Sequence, residues 1–263
     1  MTGPLLYGAL ASSALVLGAV LALRVRLPER MLAALLALAS GALITALAFE
    51  LFEDSYQRGG LWRAGIGMVV GALTFTFLSL TLDRWAHPGE TGPYGSAGDG
   101  SPKLDKGAAA ADRPVRAAST RGAAGLALLA AVTLDGVPEN VALGISLTEG
   151  SGGLALLAAI FVSNFPEALV GSASMRAQGR SAGFVLGTWL GAAVLLVLAV
   201  VVGVGPLSTT EPQTLSLPLA FAAGAVIASL ADTLMPEAYE QGGPLVALST
   251  TAGFILAFVL ATV

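Results

Sequence analysis

A proline followed by a glutamate occurs twice inside long apolar stretches of this sequence. Residues 135–140 read Asp-Gly-Val-Pro-Glu-Asn, and residues 163–168 read Ser-Asn-Phe-Pro-Glu-Ala. A carboxylate in hydrocarbon costs about 2.5–3.5 kcal/mol on insertion scales unless something compensates its charge, and a proline deletes one hydrogen bond of a helix. The recurrence of this costly pairing 28 residues later predicts a cation site at the middle of a membrane.

Oxygen-bearing side chains surround both prolines at helical spacing. Asp135 and Glu139 are four positions apart, so they share one face of a helix. Ser163 and Glu167 repeat that spacing in the second copy. Each proline also leaves the carbonyl four residues before it without its helical donor, which adds a backbone oxygen. The predicted metal ligands are therefore Asp135, Glu139, Ser163, Asn164 and Glu167, with Asn140 as a further group on the pathway.

Such an oxygen-rich set suits a divalent cation. Three neighbouring carboxylates cannot all ionise in a low dielectric without a cation beside them. The alternative is that the prolines merely kink the helices and that the acids are protonated or hydrogen-bonded. The doubling of the motif, and the absence of Lys and Arg from the same stretches, favour the cation path.

The elements that must position these residues are membrane-spanning helices. Mean hydropathy is +0.80, and only 11% of the residues are charged, whereas soluble domains average about 25%. The chain has no cysteine, which excludes disulfides and thiolate metal sites. It has one histidine. Eight apolar segments reach the roughly 20 residues that a bilayer requires. They lie at 4–23, 31–52, 62–82, 122–147, 153–175, 182–205, 214–236 and 244–263.

Basic residues are distributed asymmetrically over the connections between these segments. The connections after segments 1, 3, 5 and 7 hold eleven Lys and Arg residues, and those after segments 2, 4 and 6 hold two. The positive-inside rule therefore predicts that the first group is cytoplasmic and that both termini are extracytoplasmic. We expect a multi-pass protein of the plasma (inner) membrane of a prokaryote.

An internal repeat relates the two ends of the chain. Residues 41–60 match residues 224–243 at nine of twenty positions, including a shared Tyr-x-x-Gly-Gly. The two copies run in opposite directions across the membrane, which predicts a 3+2+3 inverted-repeat bundle, an arrangement common in secondary transporters. Glu50 and Asp232 differ by one position in this register and are predicted to lie on the pathway, on either side of the midplane. Snorkelling of their side chains to the interface is the alternative.

The chain is expected to form a single eight-helix transporter domain over 1–263. Its one long connection, about 85–120, is rich in Gly, Ala, Ser and Pro. Such a composition cannot bury a core, so it predicts a disordered cytoplasmic loop.

At these motifs the chain resembles the ZIP (Zrt/Irt-like) divalent metal transporters. That family has eight spans, a long cytoplasmic loop between spans 3 and 4, a His-Asn-x-Pro-Glu-Gly type motif in span 4 and a second Pro-Glu motif in span 5. Here Asp135 stands in place of the family's histidine, Gly136 in place of its asparagine, and Ser163 at a position often held by His or Gln. The acidic residue that many members carry in span 6 is absent, so the resemblance implies one transported metal ion and not a binuclear pair.

The sequence thus predicts an all-α integral membrane protein for secondary transport of divalent metal cations such as zinc, iron or manganese. The alternative is a metal-binding membrane scaffold, or a degenerate family member, that does not transport. An enzyme is not expected, because a metalloprotease motif would require two histidines. We expect no prosthetic group; the divalent ion is the substrate. The expected partners are that ion, the lipid bilayer and, optionally, a second copy in a homodimer, with no nucleic acid.

Overall fold

The computed structural model describes residues 2–25, 27–86, 124–149, 153–207 and 210–262, and in these ranges the chain is helical with no strand. The predicted loop at 85–120 lies almost entirely outside the described residues. The helices are α1 (Thr2–Arg24), α2 (Glu29–Thr45), α3 (Glu53–Ala86), α4 (Ala124–Glu149), α5 (Gly153–Ala177), α6 (Ala182–Val204), α7 (Pro212–Ser229), α8 (Met235–Gly242) and α9 (Leu245–Thr262).

The described parts of all eight apolar segments are almost wholly helical. In lipid, an isolated apolar segment can satisfy its own backbone hydrogen bonds only as a helix. Five helical stretches among the described residues are long and apolar enough to cross a bilayer: Leu5–Arg24, Glu29–Thr81, Leu156–Ala177, Ala182–Val204 and Pro212–Glu240. These stretches make the chain compatible with a membrane protein. The count of eight crossings stays a prediction.

Eight of these helices pack as one group of four and two flanking pairs, and the short α8 contacts α2. In the group of four, α1 and α4 each contact both α5 and α6. The flanking pairs are α2 with α9 and α3 with α7. Each pair contacts the central group mainly through one helix: α2 contacts α5 more extensively than α9 does, and α7 contacts α4 more extensively than α3 does. The two helices that carry the Pro-Glu motifs therefore lie at the centre of the molecule.

Glycines bring the helices of each flanking pair close together. In the α2–α9 pair, a side chain at Gly41 would collide with the carbonyl oxygen of Thr250, and one at Gly253 would collide with that of Leu38. Small residues at such positions let two helix backbones approach closely. The α2–α9 contact therefore depends on these glycines.

The α3–α7 pair uses the same device. A side chain at Gly71 would collide with the carbonyl oxygen of Phe221, and one at Gly224 with that of Met68. The four residues of these contacts match those of the α2–α9 pair at separations of 182 or 183 positions: Gly71 with Gly253, Met68 with Thr250, Gly224 with Gly41, and Phe221 with Leu38. The close approach thus recurs at matched positions of the internal repeat.

Two π-helical segments interrupt the repeat copies. The first, π1, is Ala46–Phe52 and joins α2 to α3; the second, π2, is Leu230–Leu234 and joins α7 to α8. Farther along each copy a glycine adopts a positive φ, 71° at Gly60 and 54° at Gly243, and redirects the chain. These glycines lie 183 positions apart. Neither π-helical segment was predicted from the sequence, and such segments often occur at functional sites.

Candidate metal site between α4 and α5

Four of the predicted ligands are buried at the centre of the described helices. Glu139 of α4 is 4% exposed, and Glu167 of α5 is 3% exposed. Ser163 and Asn164, also on α5, are 1% and 2% exposed. Pro138 and Pro166 lie inside their helices, as the sequence predicts. Two acids buried on two contacting helices form an unusual environment, because a carboxylate is costly to bury and requires a partner.

On α5 the three polar side chains cover one face. An α-helix turns by about 100° per residue, so Ser163, Glu167 and Asn164 lie within an arc of about 100°, with Glu167 in the middle. The Ser163 hydroxyl donates to the carbonyl of Ile160 at 3.0 Å, which leaves the lone pairs of its oxygen directed elsewhere. This face of α5 therefore offers a carboxylate between a hydroxyl and an amide.

Asn164 carries a buried amide nitrogen without a hydrogen-bond partner among the described residues. The oxygen and nitrogen of a side-chain amide exchange places by rotation about the terminal bond. In the rotated state, the amide oxygen of Asn164 would occupy the position where its nitrogen now finds no acceptor. A cation beside Glu167 would favour that rotated state, because it needs oxygen ligands.

On α4, Glu139 and Asn140 point in different directions. The Asn140 amide nitrogen donates to the carbonyl of Gly136 at 2.8 Å. Gly136 faces α6, because a Cβ there would lie 3.2 Å from Leu196. Asn140 is thus held on the α6 side of the helix, about 100° from Glu139. Its amide oxygen is buried without a partner among the described residues, so it is an available acceptor on a different face from the carboxylate.

Asp135 lies on α4 one turn before Glu139, and its side chain is outside the described part of the structure. No group of three or more Asp, Glu, His or Cys residues gathers among the side chains that are described. The proposed cluster of three carboxylates, which includes Asp135, therefore stays a prediction. The described members of the site are the two glutamates with Ser163 and Asn164.

The two predicted pathway acids lie in the π-helical segments. Glu50 belongs to π1, which contacts α5 and α7, and its side chain is partly buried. The adjacent Phe49 packs edge-on against Phe258 of α9, with ring centroids 5.7 Å apart. Asp232 belongs to π2, is exposed, and accepts a hydrogen bond of 2.7 Å from the hydroxyl of Ser79 on α3. This bond directs Asp232 towards α3, whereas the segment of Glu50 contacts α5, a helix of the site.

The sequence reasoning missed Ser174. It lies seven residues after Glu167, which places both on one face of α5, and it lines a cleft at the end of that helix. The helical period was the signal that could have found it.

Comparison of the chain with known protein families and with curated protein sequences finds no match.

Proposed function

We propose that this chain is a ZIP-like integral membrane protein that transports divalent metal cations through the site between α4 and α5. The observation that carries the proposal is the burial of Glu139 and Glu167, with Ser163 and Asn164, on two contacting helices that each contain an internal proline. A buried carboxylate inside a membrane-spanning helix is, by default, a mark of an ion pathway.

The donor set determines the class of substrate. Carboxylate, amide and hydroxyl oxygens suit Mn²⁺ and Fe²⁺, whereas Zn²⁺ gains most from imidazole and thiolate ligands. The sequence contains no cysteine, and its one histidine, His87, is distant from both motifs along the chain. We therefore expect a broad preference that is shifted towards the harder ions.

The inverted repeat gives this site a mechanism. The matched glycine contacts, the two π-helical segments, and the glycines of positive φ at 60 and 243 all support two related halves around α4 and α5. Two halves with opposite orientation provide two equivalent arrangements around one central site, one open to each side of the membrane. Alternating access of this kind needs no nucleotide.

The test is metal flux into proteoliposomes that contain the purified protein. Glu139→Gln and Glu167→Gln each remove one charge and keep the shape of the side chain. Truncating one partner of a buried charged interaction costs about 2–5 kcal/mol, or about 30- to 4,000-fold in affinity. We therefore expect each variant to lose nearly all flux at subsaturating metal and to insert normally, since removal of a buried charge lowers the insertion cost.

The matched control is Glu211→Gln. Glu211 is exposed at the start of α7, so this substitution removes the same charge outside the site and should leave flux unchanged. Normal flux in either site variant, at equal membrane abundance, would refute the assignment of the site. A wild type that binds metal by calorimetry but moves none of Zn²⁺, Mn²⁺, Fe²⁺, Co²⁺ or Cd²⁺ would instead show a scaffold that does not transport.

A further inference from the structure

A cleft of about 510 Å³ opens at the end of the bundle that the charge distribution predicts to be cytoplasmic. Its walls are the last turns of α1 and α5, the first turn of α2, and α8. Its polar lining includes Glu29, Ser174, Arg176 and Glu237. None of these four residues belongs to the ligands or pathway groups predicted from the sequence.

The cleft lies on the same face of α5 as the candidate metal site. Ser163, Glu167, Val170 and Ser174 follow one another at spacings of three or four residues, and the last two line the cleft. With a rise of 1.5 Å per residue, Val170 lies about 4.5 Å along the helix from Glu167, and Ser174 about 10.5 Å. Val170 is 6% exposed. Along α5, therefore, one buried apolar side chain separates the buried carboxylate from the polar lining of the cleft.

The charges of the cleft suit passage of a cation better than storage. Two glutamates and one arginine give it a formal charge of −1. The Arg176 guanidinium donates to the carbonyl of Ala22 at 2.6 Å, which holds this group against the end of α1. A weakly negative cleft attracts a divalent ion by its field, and the arginine limits how tightly two carboxylates retain it.

We propose that this cleft is the vestibule through which the ion leaves the site between α4 and α5. Val170 is the side chain that closes the passage, and Ser174 is the first polar group beyond it. The proposal rests on the transport function proposed above. It identifies the side chains that the ion passes and the side of the protein on which it emerges.

The chain has no cysteine, so single cysteines can report on the cleft without background. Ser174→Cys places a thiol in the cleft, and its matched control is Ser172→Cys, two residues away on the same helix. Ser172 is completely buried and points to the opposite side of α5. Ala177→Cys gives a second position in the cleft if the first variant does not fold.

A membrane-impermeant thiol reagent is applied to either face of oriented proteoliposomes, and Mn²⁺ flux is measured before and after labelling. We expect the thiol at 174 or 177 to react at least about tenfold faster from the predicted cytoplasmic face than the thiol at 172. We also expect labelling at 174 to reduce flux about tenfold or more. Equal reactivity at 172 and 174, reaction only from the opposite face, or full flux after complete labelling would each overturn the vestibule.

The rim acids give an independent readout. The double variant Glu29→Gln with Glu237→Gln should reduce Mn²⁺ flux several-fold. In this variant, Mn²⁺ added on the cytoplasmic side should also inhibit the flux less than in the unmodified protein. The control Glu211→Gln should change neither the flux nor its inhibition. Unchanged flux and unchanged inhibition in the double variant would refute the vestibule while leaving the site at Glu139 and Glu167 intact. Absence of flux in the unmodified protein would instead refute the transport function.

Discussion

The close contact between α2 and α9 can be measured by adding one methyl group. In Gly253→Ala, the new Cβ would lie 2.8 Å from the carbonyl carbon of Leu38. Carbon atoms in contact are about 3.5–4.0 Å apart, and the carbonyl oxygen of Leu38 lies closer still to the new Cβ, so α9 must move away from α2 by at least about 0.7–1.2 Å. Overpacking of this kind costs typically about 1–3 kcal/mol.

Gly191→Ala is the matched control. Gly191 lies within α6, and a Cβ there meets nothing within 4 Å among the described residues. Alanine is favoured over glycine in a helix by about 1 kcal/mol, and both variants gain this preference. It therefore cancels when the two are compared, and the difference between them reports the cost of the contact alone.

The assay is thermal unfolding of the two purified variants in the same detergent at one scan rate. For a chain of this length, about 2–4 °C in Tm corresponds to 1 kcal/mol, so Gly253→Ala should unfold about 2–12 °C below Gly191→Ala. Gly71→Ala, whose Cβ would lie 2.8 Å from the carbonyl carbon of Phe221 on α7, should show a similar deficit. If Gly253→Ala unfolds at or above the temperature of its control, the helices are not in contact at this position.

Three further predictions address the α3–α7 contact, selectivity and the long connection. Ser55 and Ser216 each donate a hydroxyl to the other's backbone carbonyl at 2.8 Å, so Ser216→Ala should cost about 1 kcal/mol, measured as a lower Tm; an unchanged Tm would mean that the bond adds no stability. Asp135→His introduces an imidazole and should shift competition transport from Mn²⁺ towards Zn²⁺, whereas an unchanged preference would show that residue 135 does not reach the ion. Replacing residues 90–112 by a Gly/Ser linker of equal length should leave the apparent metal affinity within about threefold, because their composition supplies no ligand set; complete loss of flux in an inserted protein would contradict this.

The sequence by itself determined the helical class and the central residues. Composition and segment length predicted the long apolar helices, because a bilayer-length stretch without charges has few other ways to satisfy its backbone. The spacing within the two Pro-Glu motifs was sufficient to place Ser163 and Glu167 on one helix face, because the helical period is fixed. The repeat at residues 41–60 and 224–243 likewise anticipated glycines at matched positions.

Only the tertiary structure decided which helices pair and where individual polar groups point. The spans are apolar on nearly every side, so they carry no amphipathic stripe to indicate which face packs against a neighbour. The sequence therefore could not predict that Asp232 accepts a hydrogen bond from Ser79, or that the Asn140 amide bonds back to Gly136 on the α6 side of its helix. The cleft is formed by the junction of α1 and α2, the end of α5 and α8, three regions that are distant along the chain and meet only when the bundle assembles.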